Sequence, residues 1–336
     1  TFTGLNPSAV EGVFNDMLAN PVEMTIWMGI TTVLGFGICS MGFQKGVERI
    51  TKAMMVCLLG IMILLCIKSL TLPNASEGVK FYLLPDFERL KENGLAQGIY
   101  AAMGQAFFTL SLGIGALAIF GSYIGKDRSL TGEAIQIGIL DTFVALTAGL
   151  IIFPACFSFG VDQTQGVGLV FVTLPNVFNQ MAGGRFWGAL FFIFMSFAAL
   201  STIIAVFENI LNFAMELWGW SRKKAVLING AAILILSMPC VLGFNVWSGF
   251  QPFGPGSTIQ DLEDFIISNN LLPIGSLVYL LFCVTRYGWG WKNFVAEADS
   301  GNGLKFPKWA RPYLTFVLPL IVLIIFVMGY YDKFFS

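Results

Sequence analysis

The sequence predicts an all-α polytopic membrane protein with about eight transmembrane helices. Of its 336 residues, 56% are hydrophobic and only 12% are charged, and the mean hydropathy is +0.76, which is far more apolar than an ordinary soluble domain. A bilayer-crossing helix needs roughly 20 mostly apolar residues, whereas membrane barrels are built from shorter alternating strands. The long apolar runs lie at 24–43, 53–70, 98–123, 134–156, 186–216, 225–244, 262–285 and 313–331.

The ionisable residues exclude several classes of function. The net charge is only −1, so no nucleic-acid partner is predicted. Histidine is absent from the sequence, which removes the commonest metal ligand and the usual proton shuttle. No nucleophile, base and orienting group occur at a recognisable spacing, so we do not expect an enzyme. Thirteen of the nineteen Lys and Arg residues fall in alternate loops, and the positive-inside rule places these loops in the cytoplasm. We therefore expect a multi-pass protein of the inner (plasma) membrane.

The third predicted span carries small and polar residues at its centre. Its sequence, GQAFFTLSLGIGALAIFGSYIGKD, places Thr109, Ser111, Gly113 and Gly115 near the middle of the membrane. One interpretation is a broken helix whose freed carbonyls and hydroxyls line a cavity and bind a cation or a charged substrate. The other is a small-residue face for close helix packing, with the hydroxyls bonded to the preceding turn. The span by itself leaves both interpretations open.

An acidic residue, Asp141, lies about a third of the way into the fourth span. A carboxylate at that depth is costly unless it is paired, protonated or bound to an ion. No basic residue lies within the apolar part of any predicted span. A hard cation, held by carboxylate, hydroxyl and carbonyl oxygens, is therefore the expected partner. A protonated, hydrogen-bonded Asp141 is the alternative.

The fifth span, which contains FMSFAALSTIIAVFENILNFAMEL, has one small and oxygen-bearing face. Ala198, Ser201, Thr202 and Ala205 recur on that face at helical spacing. The face suits close helix packing, and it equally suits a sodium site that uses a helix carbonyl and two hydroxyls. Glu208 lies two turns further along, where it either lines an exit path or bonds a neighbouring helix.

Together these segments resemble the neurotransmitter:sodium symporter family, which contains sodium-coupled amino acid and amine transporters with the LeuT-type inverted-repeat fold. GQAFFTLSLGIGA resembles the unwound sixth helix of the family, FAALSTIIAV resembles the eighth, and GFQKGVERITK resembles the link between the fourth and fifth. The resemblance covers the whole chain as family helices four to eleven, and it implies a bacterial sodium-dependent amino acid transporter that is incomplete at its N-terminus. It implies one transmembrane domain over 1–336, with the end of the first repeat and an external loop at 1–97, the second inverted repeat at 98–285, and a cytoplasmic link with the last helix at 286–336.

The resemblance also implies roles for individual residues. The first of two expected sodium ions would be bound by Thr109 and Asp141, and the second by the Ala198 carbonyl with Ser201 and Thr202. The residues implied around the substrate are Phe108, Thr109, Ser111, Ile114, Thr202 and Val206. The implied gates are Gln105 and Asp264 on the external side and Tyr123 and Glu216 on the cytoplasmic side.

The implied function is sodium-coupled symport of an amino acid by alternating access. A neutral, hydrophobic amino acid is expected, because no cationic residue in the implied wall would hold an acidic side chain and the apolar wall disfavours a basic one. Asp141 stands where family members often have Asn, and Ala145 where chloride-dependent members have Ser. A fixed carboxylate can supply the negative charge of chloride, so transport is expected to be chloride-independent. The alternative is a sodium-dependent amino acid sensor on the same fold, without significant flux. The expected partners are the amino acid and the lipid bilayer, and a homodimer is left open.

Overall fold

The computed structural model describes residues 7–92, 94–160 and 168–335, and these ranges form helices with no strand. The predicted all-α class is therefore confirmed. In chain order the helices are α1 (Pro7–Ala19), α2 (Pro21–Ser40), α3 (Gly46–Leu70), α4 (Ala75–Leu83), α5 (Phe87–Glu92), α6 (Leu95–Thr109), α7 (Ala116–Ser122), α8 (Leu130–Phe159), α9 (Leu174–Gln180), α10 (Gly184–Trp218), α11 (Arg222–Gly243), α12 (Ile259–Val284), α13 (Trp291–Ala298) and α14 (Ala310–Phe335).

Seven helices in the described ranges are long and apolar enough to cross a membrane, namely α2, α3, α8, α10, α11, α12 and α14. They correspond to seven of the eight predicted spans, and most of them extend beyond the apolar core into flanking polar residues. The predicted span at 98–123 is not a continuous helix, because α6 ends at Thr109 and α7 begins at Ala116. The interruption falls on the small and polar residues at the centre of that span.

The chain forms two compact units, and each is described by itself. The first consists of Thr1–Pro85 and Val144–Ile259, and the second of Asp86–Phe143 and Gln260–Ser336. The division into repeats that the sequence implied stays a prediction.

The first unit is built around α10, which packs on α2 and α3, while α11 packs on α2. The Phe36 and Phe207 rings stack with their centroids 4.1 Å apart. Gly35 makes this approach possible, because a Cβ at that position would lie 2.8 Å from the Phe207 ring. Such close contacts hold membrane helices together, since lipid provides no hydrophobic force between them.

The short helix α4 is anchored to α8 within the first unit. The Tyr82 hydroxyl donates to the Ala145 carbonyl at 3.2 Å, and the phenol ring lies directly against Gly149. Burial raises the pKa of Tyr82 above its ordinary value, so the phenol stays protonated and keeps this bond well above neutral pH.

The second unit joins α6, α12 and α14 through rings and amide side chains. The Tyr330 hydroxyl of α14 donates to Asn270 Oδ1 of α12 at 2.6 Å, and the Phe265 ring lies 5.2 Å from the Tyr330 ring. Asn269 Nδ2 in turn donates to the Tyr100 hydroxyl of α6 at 3.4 Å. Each polar side chain in this group therefore has a partner on another helix, as burial in a membrane requires.

Prolines explain most of the π-helical turns. A proline ring clashes with the carbonyl four residues earlier and cannot donate a helical hydrogen bond, and a π turn widens the helix at that point. Three of the four π turns in the described ranges end two residues before a proline: Leu169–Thr173 before Pro175, Ile267–Leu271 before Pro273, and Tyr313–Val317 before Pro319. The fourth follows Gly42, whose φ is 93°.

Candidate functional site

The helix α6 ends in a Schellman motif centred on Ser111. The Ser111 N–H bonds to the Phe108 carbonyl and the Leu112 N–H to the Phe107 carbonyl, both at 3.0 Å. Ser111 itself adopts the left-handed conformation, with φ at 50°. Glycine usually occupies this position, and a non-glycine residue there costs about 1–2 kcal/mol. The sequence therefore retains a hydroxyl at the break despite its conformational cost.

The interrupted backbone lies against α12. A Cβ added to Gly113 would collide with the Leu272 carbonyl oxygen and would lie 2.7 Å from the Ser276 nitrogen. Gly275 faces the same point, since a Cβ there would lie 2.9 Å from the Gly113 carbonyl carbon. Gly113 also has a φ of 86°. Glycine is therefore required at Gly113 by both its conformation and its surroundings, and the non-helical backbone at membrane depth rests on protein, as it must.

A hydroxyl and a carboxylate meet where α6 ends. Thr109, the last residue of α6, donates from Oγ1 to Oδ1 of Asp141 in α8 at 2.9 Å. These are the two residues expected to bind the first sodium ion. Among the described residues of this unit, no Lys or Arg forms a salt bridge with Asp141. The donor set, an acid and a hydroxyl beside the carbonyl end of a helix, has the chemistry that a hard cation requires.

Three oxygen atoms converge on one turn of α10 in the first unit. The Ala198 carbonyl accepts from Ser201 Oγ at 2.8 Å and from Thr202 Oγ1 at 3.1 Å. These are the three residues expected to bind the second sodium ion. Val206 lies one turn beyond Thr202 on the same face. The contacts suit a sodium ligand set, and they also suit hydroxyls that are simply bonded back to the preceding turn.

The other residues implied around the substrate flank the break in α6–α7 and continue along α10. The Phe108 and Ile114 side chains, before and after the break, are 56% and 40% exposed, and Ser111 lies between them in sequence. Both side chains belong to the second unit, whereas Thr202 and Val206 belong to the first.

The residues implied at the external gate share a cavity of about 310 Å³ in the second unit. Gln105 and Phe108 of α6 line it together with Asp264 and Ser268 of α12. Ser268 Oγ donates to Asp264 Oδ1 at 2.9 Å, which orients the carboxylate.

The two residues implied at the cytoplasmic gate lie in different units. Tyr123 follows α7 in the second unit and is 42% exposed. Glu216 lies near the end of α10 in the first unit, and its side chain is exposed.

A buried ion pair was missed by the sequence reasoning. Glu208 is fully buried in α10, and its Oε2 lies 2.5 Å from Nη2 of Arg222, the first residue of α11. Arg222 Nε also donates to the Cys39 carbonyl of α2 at 2.7 Å, and Asn212 Nδ2 donates to Glu208 Oε1 at 3.3 Å. Of the two roles open to Glu208, the structure shows the bond to a neighbouring helix. The sequence feature that could have predicted this pair is Gly219, which has a φ of 63°. Gly219 forms a tight turn that brings α11 back beside α10.

Membrane-spanning helices, one of which is broken beside acid and hydroxyl oxygens, are typical of ion-coupled multi-pass transporters. The comparisons with known proteins agree. A sequence model described as the sodium:neurotransmitter symporter family matches residues 13–333. The chain therefore belongs to the sodium:neurotransmitter symporter family, as the resemblance of its motifs predicted.

Individual relatives support the same conclusion. The chain is 34% identical over 330 residues to an uncharacterized sodium-dependent transporter of Bacillus subtilis, covering 97% of this chain and 71% of that protein. It is 33% identical over 315 residues to one of Haemophilus influenzae, covering 92% of this chain and 66% of that protein. The crystal structure of MhsT in complex with L-phenylalanine matches with a TM-score of 0.81 and 38% identity, over 95% of this chain and 71% of that chain. The chain thus spans about two thirds of the length of such relatives, and the predicted LeuT-type fold and transporter class are confirmed.

Proposed function

We propose that the chain carries the site of a sodium-coupled symporter that moves a neutral, hydrophobic amino acid by alternating access. The observation that carries the proposal is the hydrogen bond between Thr109 and Asp141 at the end of the broken helix. Membership of a sodium symporter family supports the coupling ion. MhsT, whose structure is similar over 95% of this chain, was crystallised with L-phenylalanine, which supports a hydrophobic amino acid as substrate.

The first sodium ion is proposed to lie between Thr109 Oγ1 and the Asp141 carboxylate. A hydroxyl proton can rotate away, so Thr109 can exchange its present hydrogen bond for a sodium contact. The ion would neutralise a carboxylate that is otherwise costly at this depth. It would also lie next to Ser111 and Phe108, so that its positive charge attracts the carboxylate of the amino acid.

The second sodium ion is proposed to bind the Ala198 carbonyl, Ser201 Oγ and Thr202 Oγ1. All three oxygens lie within one turn of α10, and the same rotation of hydroxyl protons frees them for an ion. Thr202 also belongs to the proposed substrate wall, so this ion and the substrate would order the same turn. Two ions that bind one conformation better than the other shift the population between outward-open and inward-open states.

On the family resemblance, the residues proposed to contact the substrate are Phe108, Thr109, Ser111, Ile114, Thr202 and Val206. Their side chains are apolar or carry hydroxyls, which favours an uncharged side chain on the substrate. Gln105 and Asp264 are proposed for the external gate, because both line one cavity in the second unit. Tyr123 and Glu216 are proposed for the cytoplasmic gate on the family resemblance.

Chloride independence is proposed from the chemistry at position 141. Asp141 carries a fixed negative charge beside the proposed first ion, and Ala145 one turn later offers no hydroxyl to a chloride ion. The Ala145 carbonyl accepts from Tyr82, so this turn of α8 is held by protein contacts.

Hydroxyl removal tests the proposed first sodium site. Thr109→Val in the full-length protein, reconstituted in proteoliposomes, should raise the sodium concentration for half-maximal phenylalanine uptake at least tenfold, because one ligand is lost. Thr142→Val is the matched control, since Thr142 Oγ1 bonds to the Gly138 carbonyl at 2.8 Å within α8. An unchanged sodium dependence in Thr109→Val, with normal folding, would contradict the assignment of Thr109.

A further inference from the structure

Four cationic side chains lie at one end of the hairpin formed by α12 and α14. The two helices are antiparallel, because Phe265 near the start of α12 contacts Phe334 near the end of α14, with ring centroids 5.6 Å apart. The end of α12 and the start of α14 therefore lie together. The basic rim, as we call this group, consists of Arg286, Lys292, Lys308 and Arg311.

Two arginines of the basic rim are held against aromatic rings. The Arg286 Cζ atom lies 4.9 Å from the centroid of the Tyr287 ring, and its Nη2 donates to the Tyr287 hydroxyl at 2.8 Å. The Arg311 Cζ atom lies 5.9 Å from the centroid of the Trp291 ring. This second contact brings α13 to the same end of the hairpin. A guanidinium that stacks on an aromatic ring is already oriented. It therefore loses less side-chain conformational entropy when it binds a phosphate through its N–H groups.

The acids of this region are engaged elsewhere. Residues 285–317 contain five Lys or Arg residues and two acids, a net charge of +3. Glu297 binds Lys126, with Oε1 and Nζ 2.7 Å apart, and Asp299 Oδ1 accepts from the Phe306 N–H at 2.7 Å. The fifth cation, Lys305, donates to the Asp299 and Gly301 carbonyls at 2.6 and 3.1 Å. The basic rim therefore carries the excess positive charge.

Large exposed aromatic side chains lie close in sequence to the cations of the basic rim. Tyr287, Trp309 and Phe316 are 86%, 72% and 74% exposed. Tyr and Trp are enriched at the level of the lipid headgroups, and Lys and Arg near helix ends extend to the same level. Phe316 lies within the first two turns of α14, a helix that is long and apolar enough to cross a membrane. The rim and its aromatic side chains therefore match an amphipathic anion that has a charged head and an apolar tail.

We propose that the basic rim binds the phosphate headgroup of an anionic phospholipid, with Trp309 and Tyr287 beside the headgroup and Phe316 beside its acyl chains. Arginine pairs with phosphate through two parallel N–H bonds, and clusters of about four or more Lys and Arg next to a transmembrane helix bind anionic lipid headgroups. The site is distinct from the proposed ion and substrate residues, and it stands whether or not the proposed transport function is correct.

The test is lipid binding by the full chain, purified in a neutral detergent and examined by native mass spectrometry. Phosphatidylglycerol is titrated in one arm and phosphatidylcholine in the other. Each cation near an anionic lipid contributes about fivefold in affinity. Lys308→Gln with Arg311→Gln should therefore weaken phosphatidylglycerol binding about 25-fold, while phosphatidylcholine binding stays weak and unchanged.

The matched control is Lys223→Gln with Lys224→Gln, which removes two cations from the start of α11. Lys224 also lies over a tryptophan, with Nζ 5.1 Å from the Trp220 ring centroid, so the chemistry that is removed is comparable. The control should bind phosphatidylglycerol like the unmodified chain. Should the double rim variant fail to fold, Lys292→Gln alone serves, with an expected loss of about fivefold.

Three results would overturn the proposal. The first is equal affinity for the two lipids, and the second is an unchanged affinity for phosphatidylglycerol in a folded rim variant. The third is displacement of phosphatidylglycerol by an equal concentration of inorganic phosphate, because the rim would then be a site for a soluble anion.

Discussion

Replacing Arg222 by methionine tests the buried ion pair between α10 and α11. The substitution keeps the aliphatic part of the side chain and leaves the Glu208 carboxylate, which is fully buried, without its cation. Removing one partner of a buried pair costs about 3–5 kcal/mol. The Arg222 side chain is 23% exposed, so water can approach the site, and we expect the lower end of that range, about 3 kcal/mol.

The double variant Glu208→Gln with Arg222→Met distinguishes the ion pair from simple loss of packing. It removes both charges, and the side-chain amide introduced in place of the Glu208 carboxylate can still accept from Asn212. The cost of Arg222→Met arises mainly from a buried Glu208 carboxylate that has lost its cation. The double variant should therefore be more stable than Arg222→Met.

Unfolding in sodium dodecyl sulfate, followed by circular dichroism, measures these differences in the free energy of unfolding. Lys223→Met is the control, because it removes a neighbouring exposed cation and should change stability by less than about 0.5 kcal/mol. A loss below about 1 kcal/mol in Arg222→Met, or a double variant that is no more stable than Arg222→Met, would refute the reasoning.

Three further predictions concern the break and the ions. Gly113→Ala should destabilise the chain and abolish uptake, since a Cβ would collide with the Leu272 carbonyl. Gly121→Ala is the control and should be tolerated, because there is open space around Gly121. Equal losses of stability in the two variants would contradict the packing argument. Ser111→Gly should raise the free energy of unfolding by about 1 kcal/mol through relief of a left-handed residue, as measured by the same titration, whereas a loss of stability would point to an important hydroxyl contact. Replacing chloride with gluconate should leave the initial rate of uptake unchanged, and a loss of uptake would refute the role given to Asp141.

The residues of the third span marked the position of a possible helix break because their signal is local, and the family resemblance implied that the helix is unwound there. Small and hydroxyl residues at the centre of an apolar span are unfavourable facing lipid, and they mark either a break or a close packing face. The structure combines both, since the backbone leaves the helix after Thr109 and Gly113 then packs on α12. The pairing of Thr109 with Asp141, in contrast, joins residues 32 positions apart, and it followed from the family resemblance rather than from any periodicity.

The sequence did not predict the ion pair of Glu208 because Arg222 stands at the polar start of α11. Arg222 is one of the thirteen cations counted in the loops that the positive-inside rule places in the cytoplasm. Its long side chain nevertheless extends back to Glu208 and to the Cys39 carbonyl. The π turns were missed for a different reason. Their cause is the clash of a proline with a carbonyl four residues earlier, and the apolar pattern of a span does not report it, although Pro175, Pro273 and Pro319 were visible.

The measurement that tests the central claim most directly is accumulation of labelled L-phenylalanine in proteoliposomes containing the full-length protein. Uptake is compared with an inward sodium gradient and with potassium in place of sodium, for the unmodified chain and for Asp141→Ala. The account predicts accumulation that requires the sodium gradient and is lost in Asp141→Ala. Sodium-dependent binding without accumulation would contradict transport and indicate a sensor, and accumulation that persists in potassium or in Asp141→Ala would contradict the proposed sodium site.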